Sequence, residues 1–315
     1  MSVLFVVGID RLSRDDKIAL LAQLTAVNAK TVLSEGAQKG LRQVKSLALA
    51  GAAKVVGLAS RDYGHNIKAW DKRLDWNVEV LRGRMAEKAD SLSRLDTADI
   101  TRRLRARMAQ IANVEETVDG AALATAIIHR AARSLKIDVR LFPETVSLED
   151  AVFQAFVREQ IELLKKRLAQ MLPAELADFE GILHDEIAKL SKADQEAIRK
   201  ATGLDELSGK AVVGFLRSMS VTALTQLVVG SFGFGAFLFL TTTLKALSLL
   251  LGMTFSFGLY AAATSLLAFL LSGLFLFAVA ALSGGLLFRR TSTQLDDQLA
   301  KLLVAVGRAK LLSAG

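Results

Sequence analysis

Between Ser218 and Phe288 the chain carries a single charged residue, Lys245, with 27 uncharged residues before it and 43 after it. A bilayer-spanning helix needs about 20 predominantly apolar residues to cross a hydrocarbon core of roughly 30 Å. Val221–Leu240 meets that length, and Ala246–Leu266 with Leu267–Phe288 forms a second, continuous tract. A core helix of a soluble protein keeps a polar stripe for water, and the run LLAFLLSGLFLFAVAAL keeps almost none. Membrane insertion of this region is therefore the expectation that shapes every other reading.

The charge on either side supports the same division. Residues 1–210 hold 33 Lys+Arg and 30 Asp+Glu, whereas 211–315 hold seven Lys+Arg and only Asp296 and Asp297. That shift places a boundary near Ser208–Gly209. It divides the chain into a helical domain at 1–208, a hydrophobic membrane region at 209–290 and a basic amphipathic tail at 291–315. Lysine at the middle of a span costs about 2.5–3.5 kcal/mol, so Lys245 is read as marking the end of the first span. The positive-inside rule then sets Lys210, Arg217, Arg289 and Arg290 on the cytoplasmic side. Both flanks on one side require an even number of crossings. Three apolar stretches with two crossings leave one stretch re-entrant or interfacial.

The front part reads as all-α. Two prolines in 315 residues leave long helices unbroken. Ser13 with Asp16 has the spacing of a capping box before Ile18, Leu20, Leu21 and Leu24. Asp96 precedes the stripe Ile100, Leu104, Met108 and Ile111, with Arg102, Arg103, Arg105 and Arg107 set among them. Ser147 with Asp150 opens a further helix that ends at Leu172–Pro173, and Ser191 with Asp194 opens one ending near Gly203. Lys136–Phe142 alternates as a short strand would. Leu41–Ala59, rich in Ala and Gly but carrying Arg42, Lys45 and Lys54, is read as core. Trp70 and Trp76 are six residues apart and cannot share one helix face. The N-terminus has no basic leader before its short apolar run, so the front domain is expected to remain in the cytoplasm.

Little in the sequence points to catalysis. With no cysteine, thiolate metal sites and cysteine nucleophiles are excluded. Gly203–Ala211 approaches a phosphate-binding loop but has five residues between its glycines where four are needed, and Ala211 replaces the magnesium-binding hydroxyl. Glu180 and His184, at i and i+4, form with Asp185 and Glu186 the densest group of ligand-type side chains. They lack the second histidine of a zinc-protease helix. His65 and His129 have no partner pattern. The arginines of the Asp96 helix lack aromatic interleaving, so no nucleic-acid partner is expected. Gly230, Gly233, Gly235, Gly284 and Gly285 could let apolar helices approach closely.

LSKADQEAIRKATGLDELSGKAVVGFL (Leu190–Leu216), followed by a Gly/Ala/Thr-rich apolar tract, resembles the YaaW-like family of bacterial proteins, which is loosely grouped with the ubiquinol–cytochrome c chaperones. The resemblance runs over roughly residues 172–288. It implies a helical domain joined to a hydrophobic region and supplies no catalytic residue.

The resulting expectation is an all-α, non-enzymatic protein of the bacterial inner membrane, with its front domain and tail in the cytoplasm and a transmembrane helical hairpin. It would use no cofactor or metal. Its partners would be the bilayer and another protein, with a homo-oligomer as a further option. The alternative is a pore-forming effector that stores the hairpin in a soluble bundle and then inserts it.

Overall fold

The computed structural model describes residues 3–26, 86–230, 233–250 and 292–312. Leu41–Ala59, His65, Trp70, Trp76, the tract after residue 250 and Arg289–Arg290 lie outside the described residues. Within them the chain is helical, with no β-strand. The helices are α1 (Leu4–Asp10), α2 (Arg14–Ala26), α3 (Thr97–Ala112), α4 (Gly120–Ser134), α5 (Thr145–Gln170) and α6 (Pro173–Ala188). They continue with α7 (Lys192–Thr202), α8 (Gly209–Ser218), α9 (Val221–Val229), α10 (Gly233–Leu250) and α11 (Ser292–Leu312).

Local chemistry sets most helix starts. The Ser13 hydroxyl accepts from Asp16 N at 3.1 Å while Asp16 accepts from Ser13 N, a closed capping box. Asp96 accepts from Asp99 N at 2.7 Å, and Ser191 accepts from Asp194 N at 3.1 Å. Pro173 occupies the first turn of α6, where its missing N–H costs no hydrogen bond. Gly203 ends α7 in the left-handed region. The stripe Ile100, Leu104, Met108 and Ile111 is buried. Two expected starts differ. α5 begins at Thr145, two residues before Ser147, with no side-chain cap, and Asp150 pairs with Arg308 from far along the chain. Within Lys136–Phe142, Val139–Leu141 form a single 3-10 turn capped by Asp138, not a strand.

Two groups of helices share α5. At 26 residues it is about 39 Å long, enough to reach both. On one side α11 packs against α1, α3, α4 and α5; on the other α10 packs against α6, α7 and α9, with α8 lying on α5 and α6. α10 touches α11, and that contact joins the groups. The composition boundary near Ser208–Gly209 is therefore not a gap in the packing. It marks where helices with a solvated face give way to nearly uncharged ones laid onto the same core.

The segment read as a tail is a core element. Every residue from Leu299 to Val306 in α11 is buried. Val221–Leu240 is also not one helix. α9 stops at Gly230, and α10 begins at Gly233 with a positive φ of 52°. Residues 236–244 of α10 are buried on every side, Thr241, Thr242 and Thr243 included. The Thr241 and Thr243 hydroxyls donate to carbonyls of the preceding turn, which removes the cost of burying them. Among the described residues no single helix is long and apolar enough to cross a membrane. α8 and α9 reach that length only together, and they bend by 113° between them.

A close backbone crossing joins the first and last described helices. A Cβ on Gly8 would overlap the Gly307 carbonyl, and one on Gly307 would overlap the Phe5 carbonyl. Backbones meet there with no side chain between them. Gly8→Val or Gly307→Val should each cost about 1–3 kcal/mol by overpacking. Gly214→Ala, where an added Cβ meets nothing, should be neutral or mildly stabilising. Denaturant unfolding followed by far-UV circular dichroism checks both; an unchanged midpoint for the Gly8 and Gly307 variants would mean that the crossing is looser than described.

Candidate functional site: charged clamps around the apolar tract

Leu250 and Ser292, the residues on either side of the apolar tract, belong to the touching helices α10 and α11. Each helix is fixed to the front part of the chain by ion pairs, and these clamps decide how the tract is presented.

Lys245 supplies the clamp on α10. Its Nζ lies 2.6 Å from a carboxylate oxygen of Glu186 in α6, whose other oxygen accepts from Lys189 at 2.5 Å. Glu186 is only 3% exposed. Burial pushes its pKa up, but the hydrogen bonds and charges of Lys189 and Lys245 outweigh that and hold the carboxyl below its usual range. The sole charge within the long uncharged stretch is thus neutralised by a buried carboxylate. It pins α10 to the bundle, where the sequence suggested the end of a membrane span.

Six ion pairs among the described residues clamp α11. Asp297 accepts from Arg130 Nε at 2.7 Å, and Asp296 lies 3.7 Å from Arg107 and 3.9 Å from Arg130. Those arginines also donate to helix-end carbonyls, Arg130 to Ile111 at 2.6 Å and Arg107 to Leu24 at 2.8 Å. The only two acidic residues after position 210 are both used here. Burial raises the Asp296 pKa, against the pull of Arg107 and Arg130. Lys301, 2% exposed, reaches Glu159 of α5 at 3.0 Å. Arg308 pairs with Asp150 at 2.7 Å and Glu149 at 3.7 Å, and lies 5.6 Å over the Phe153 ring. Lys301 and Arg308 thus meet acidic residues of α5.

Glu149 connects this clamp to α1. It is 0% exposed, and its two oxygens accept from Leu4 N at 2.8 Å and Phe5 N at 2.7 Å. Val3 offers no side-chain cap, so a carboxylate 145 residues away satisfies the open end of α1. Burial raises the Glu149 pKa, opposed by Arg308 and by the two backbone donors.

The other residues singled out by sequence are more dispersed. Lys210 is exposed and has no hydrogen bond or ion pair among the described residues. Arg217 is exposed, with one guanidinium nitrogen on the Leu168 carbonyl at 3.2 Å. His184 is exposed and Glu180 half-buried, and no group of three potential metal ligands forms among the described residues. Gly209 lets α8 sit directly on the Glu180 carbonyl, so the loop-like glycine has a packing role. Of the arginines on α3, Arg105 bonds the Val118 carbonyl, Arg102 bonds Asp99, and Arg107 joins the clamp. Glu149 and Glu159 gave no signal in the sequence, and Glu186 stood out only as one of a group of ligand-type side chains, because their distant partners lie 59 to 159 positions away. A run of charge beside Leu/Val/Phe positions at core spacing was the only local trace.

Glu186→Gln should cost about 3–5 kcal/mol, since it leaves Lys245 half-buried without its counter-charge. Glu186→Gln with Lys245→Met should recover most of that loss, which a double-mutant cycle in denaturant would measure. The pH dependence of the two buried carboxylates has opposite signs. Glu186, lowered in the fold, contributes stability above the unfolded carboxylate pKa and loses it as pH falls through its folded value. Glu149, raised in the fold, contributes below the unfolded value and loses it as pH rises through its folded one. Stability measured across acid to neutral pH should therefore lose part of its acid decline in Glu186→Gln. Parallel curves for wild type and variant would contradict the assignment.

No protein-family model, no curated protein and no solved structure matches this chain.

Proposed function

We propose that the chain is a non-enzymatic helical module held at a bilayer by residues 251–288, acting there as an interaction or assembly unit. One observation carries the reading: both flanks of the tract lie in one packed body, α10 before it and α11 after it, in contact. The 38 residues 251–288 contain no charge. They divide into two arms of about 19 residues, each about 28 Å as helix, close to the thickness of the hydrocarbon core. In this reading the tract leaves the bundle and returns to the same side as a hairpin with two crossings. Arg289 and Arg290 at its exit favour the cytoplasmic face of a bacterial inner membrane. A resemblance of Leu190–Leu216 to the YaaW-like family, read from sequence alone, would imply the same organisation.

The membrane part in this reading is smaller than residues 209–290. α8 to α10 belong to the bundle, and Lys245 belongs to Glu186. The pore-forming alternative needs α10 to leave its sheath. Its support is the burial of that nearly uncharged helix on every side, and its obstacle is the same ion pair, whose rupture would strand Glu186.

Full-length protein at native expression should stay in carbonate-washed membranes while a membrane-potential dye reports intact cells. Leu259→Arg with Val279→Arg, one at the middle of each arm, should release it, because each arginine costs about 2.5–3.5 kcal/mol there. Soluble wild-type protein, or retained protein with collapsing potential, would overturn the anchored reading and support the stored hairpin.

A further inference from the structure

α8 and α9 form an elbow with a particular outer face. Lys210, Gly214 and Arg217 are exposed along α8, and Thr222 and Gln226 along α9. α9 has no charged residue, and Val221, Leu227 and Val229 are only half-buried. No acidic residue occurs between Glu206 and Asp296. The elbow is held bent from beneath. Lys165 of α5 donates to the carbonyls of Leu216 at 2.8 Å and Met219 at 2.6 Å, and Arg217 donates to Leu168. Lys166, next to Lys165, is exposed and has no partner among the described residues.

From this we infer that the α8–α9 elbow rests on the anionic headgroups of the bilayer that residues 251–288 enter. The inference rests on the anchored reading and deepens it by assigning a second, shallow contact. Charge complementarity argues for lipid: Lys166, Lys210 and Arg217 offer cations around an apolar, acid-free helix, and each basic residue near an anionic surface is attracted to it. Geometry argues for the interface and against crossing. The nine residues of α9 are about 13 Å long, under half a hydrocarbon core, and the 113° bend prevents α8 from extending them. Continuity supplies the third argument. Phe215 of α8 meets Phe239 of α10 edge-on at 5.7 Å. From Phe239 about 16 Å of helix leads to Leu250, where the tract begins. A short helix with an apolar edge and flanking cations is suited to lie in the headgroup plane.

The natural chain has no cysteine, so single-cysteine probes report without background. Thr222→Cys and Gln226→Cys, with Thr117→Cys in the exposed α3–α4 connection as control, would be made in the full-length chain. Each would carry an environment-sensitive fluorophore and be reconstituted in vesicles containing about a third phosphatidylglycerol. Headgroup-level nitroxide lipid should quench positions 222 and 226 at least about twofold more than position 117. Lys166→Glu with Lys210→Glu, or vesicles of phosphatidylcholine alone, should reduce that excess to the control level while carbonate washing still retains the protein. Quenching equal to the control in retained protein would overturn the elbow contact and leave the anchored reading intact. Stronger quenching from deep acyl-chain nitroxide would overturn it in favour of an inserted α9. Protein lost on washing would overturn both.

Discussion

With one charge among the seventy-one residues from Ser218 to Phe288, the chain finds further ionic partners at the edge of that stretch, where Asp296 and Asp297 pair with Arg107 and Arg130. The remaining architecture depends on this contact. It brings α11 back onto α3 and α4, sets Lys301 and Arg308 against the acidic side of α5, and positions Gly307 to receive α1. Partly buried arginine–carboxylate contacts of this kind contribute modest net stability, because desolvation offsets most of the attraction. Their effect is on register. A one-turn slip of α11 would separate four charged residues from their partners at once.

Glu149 and Glu186 show two uses of a buried carboxylate. Glu186 has two ammonium partners and remains ionised below the usual range. Glu149 has two backbone donors and a more distant guanidinium, so burial dominates and its pKa rises. The difference follows from what each closes. Glu186 neutralises a lysine that the apolar stretch brings with it, whereas Glu149 satisfies the open end of a seven-residue helix that has no cap of its own. Both place the cost of burial on α5 and α6, away from the nearly uncharged helices.

The parts legible in the sequence were those governed by neighbouring residues. The capping box at Ser13 and Asp16, the caps at Asp96 and Ser191, the proline turn at Pro173 and the stripe on α3 follow from spacing alone. The start of α5 did not: it begins without a side-chain cap, and Asp150 pairs with Arg308 and not with Ser147. Hydropathy gave the extent of the uncharged region but could not separate α10, enclosed by other helices, from a segment enclosed by lipid; both environments select the same residues. The ion pair of Lys245 separates them, and it joins positions 59 apart in sequence. α11 looked like a tail because most of its charges are basic, and the acidic partners of Lys301 and Arg308 sit on a helix more than 140 positions earlier.

The Gly8–Gly307 crossing has a consequence for biosynthesis. α1 is made nearly three hundred residues before its principal neighbour. At about 5–20 residues per second, α1 waits roughly 15–60 s for that neighbour. Residues 251–288 leave the ribosome before α11 does. Whatever receives that apolar stretch therefore acts on a bundle still open on its α1 side, and the glycine crossing closes only after α11 has been made.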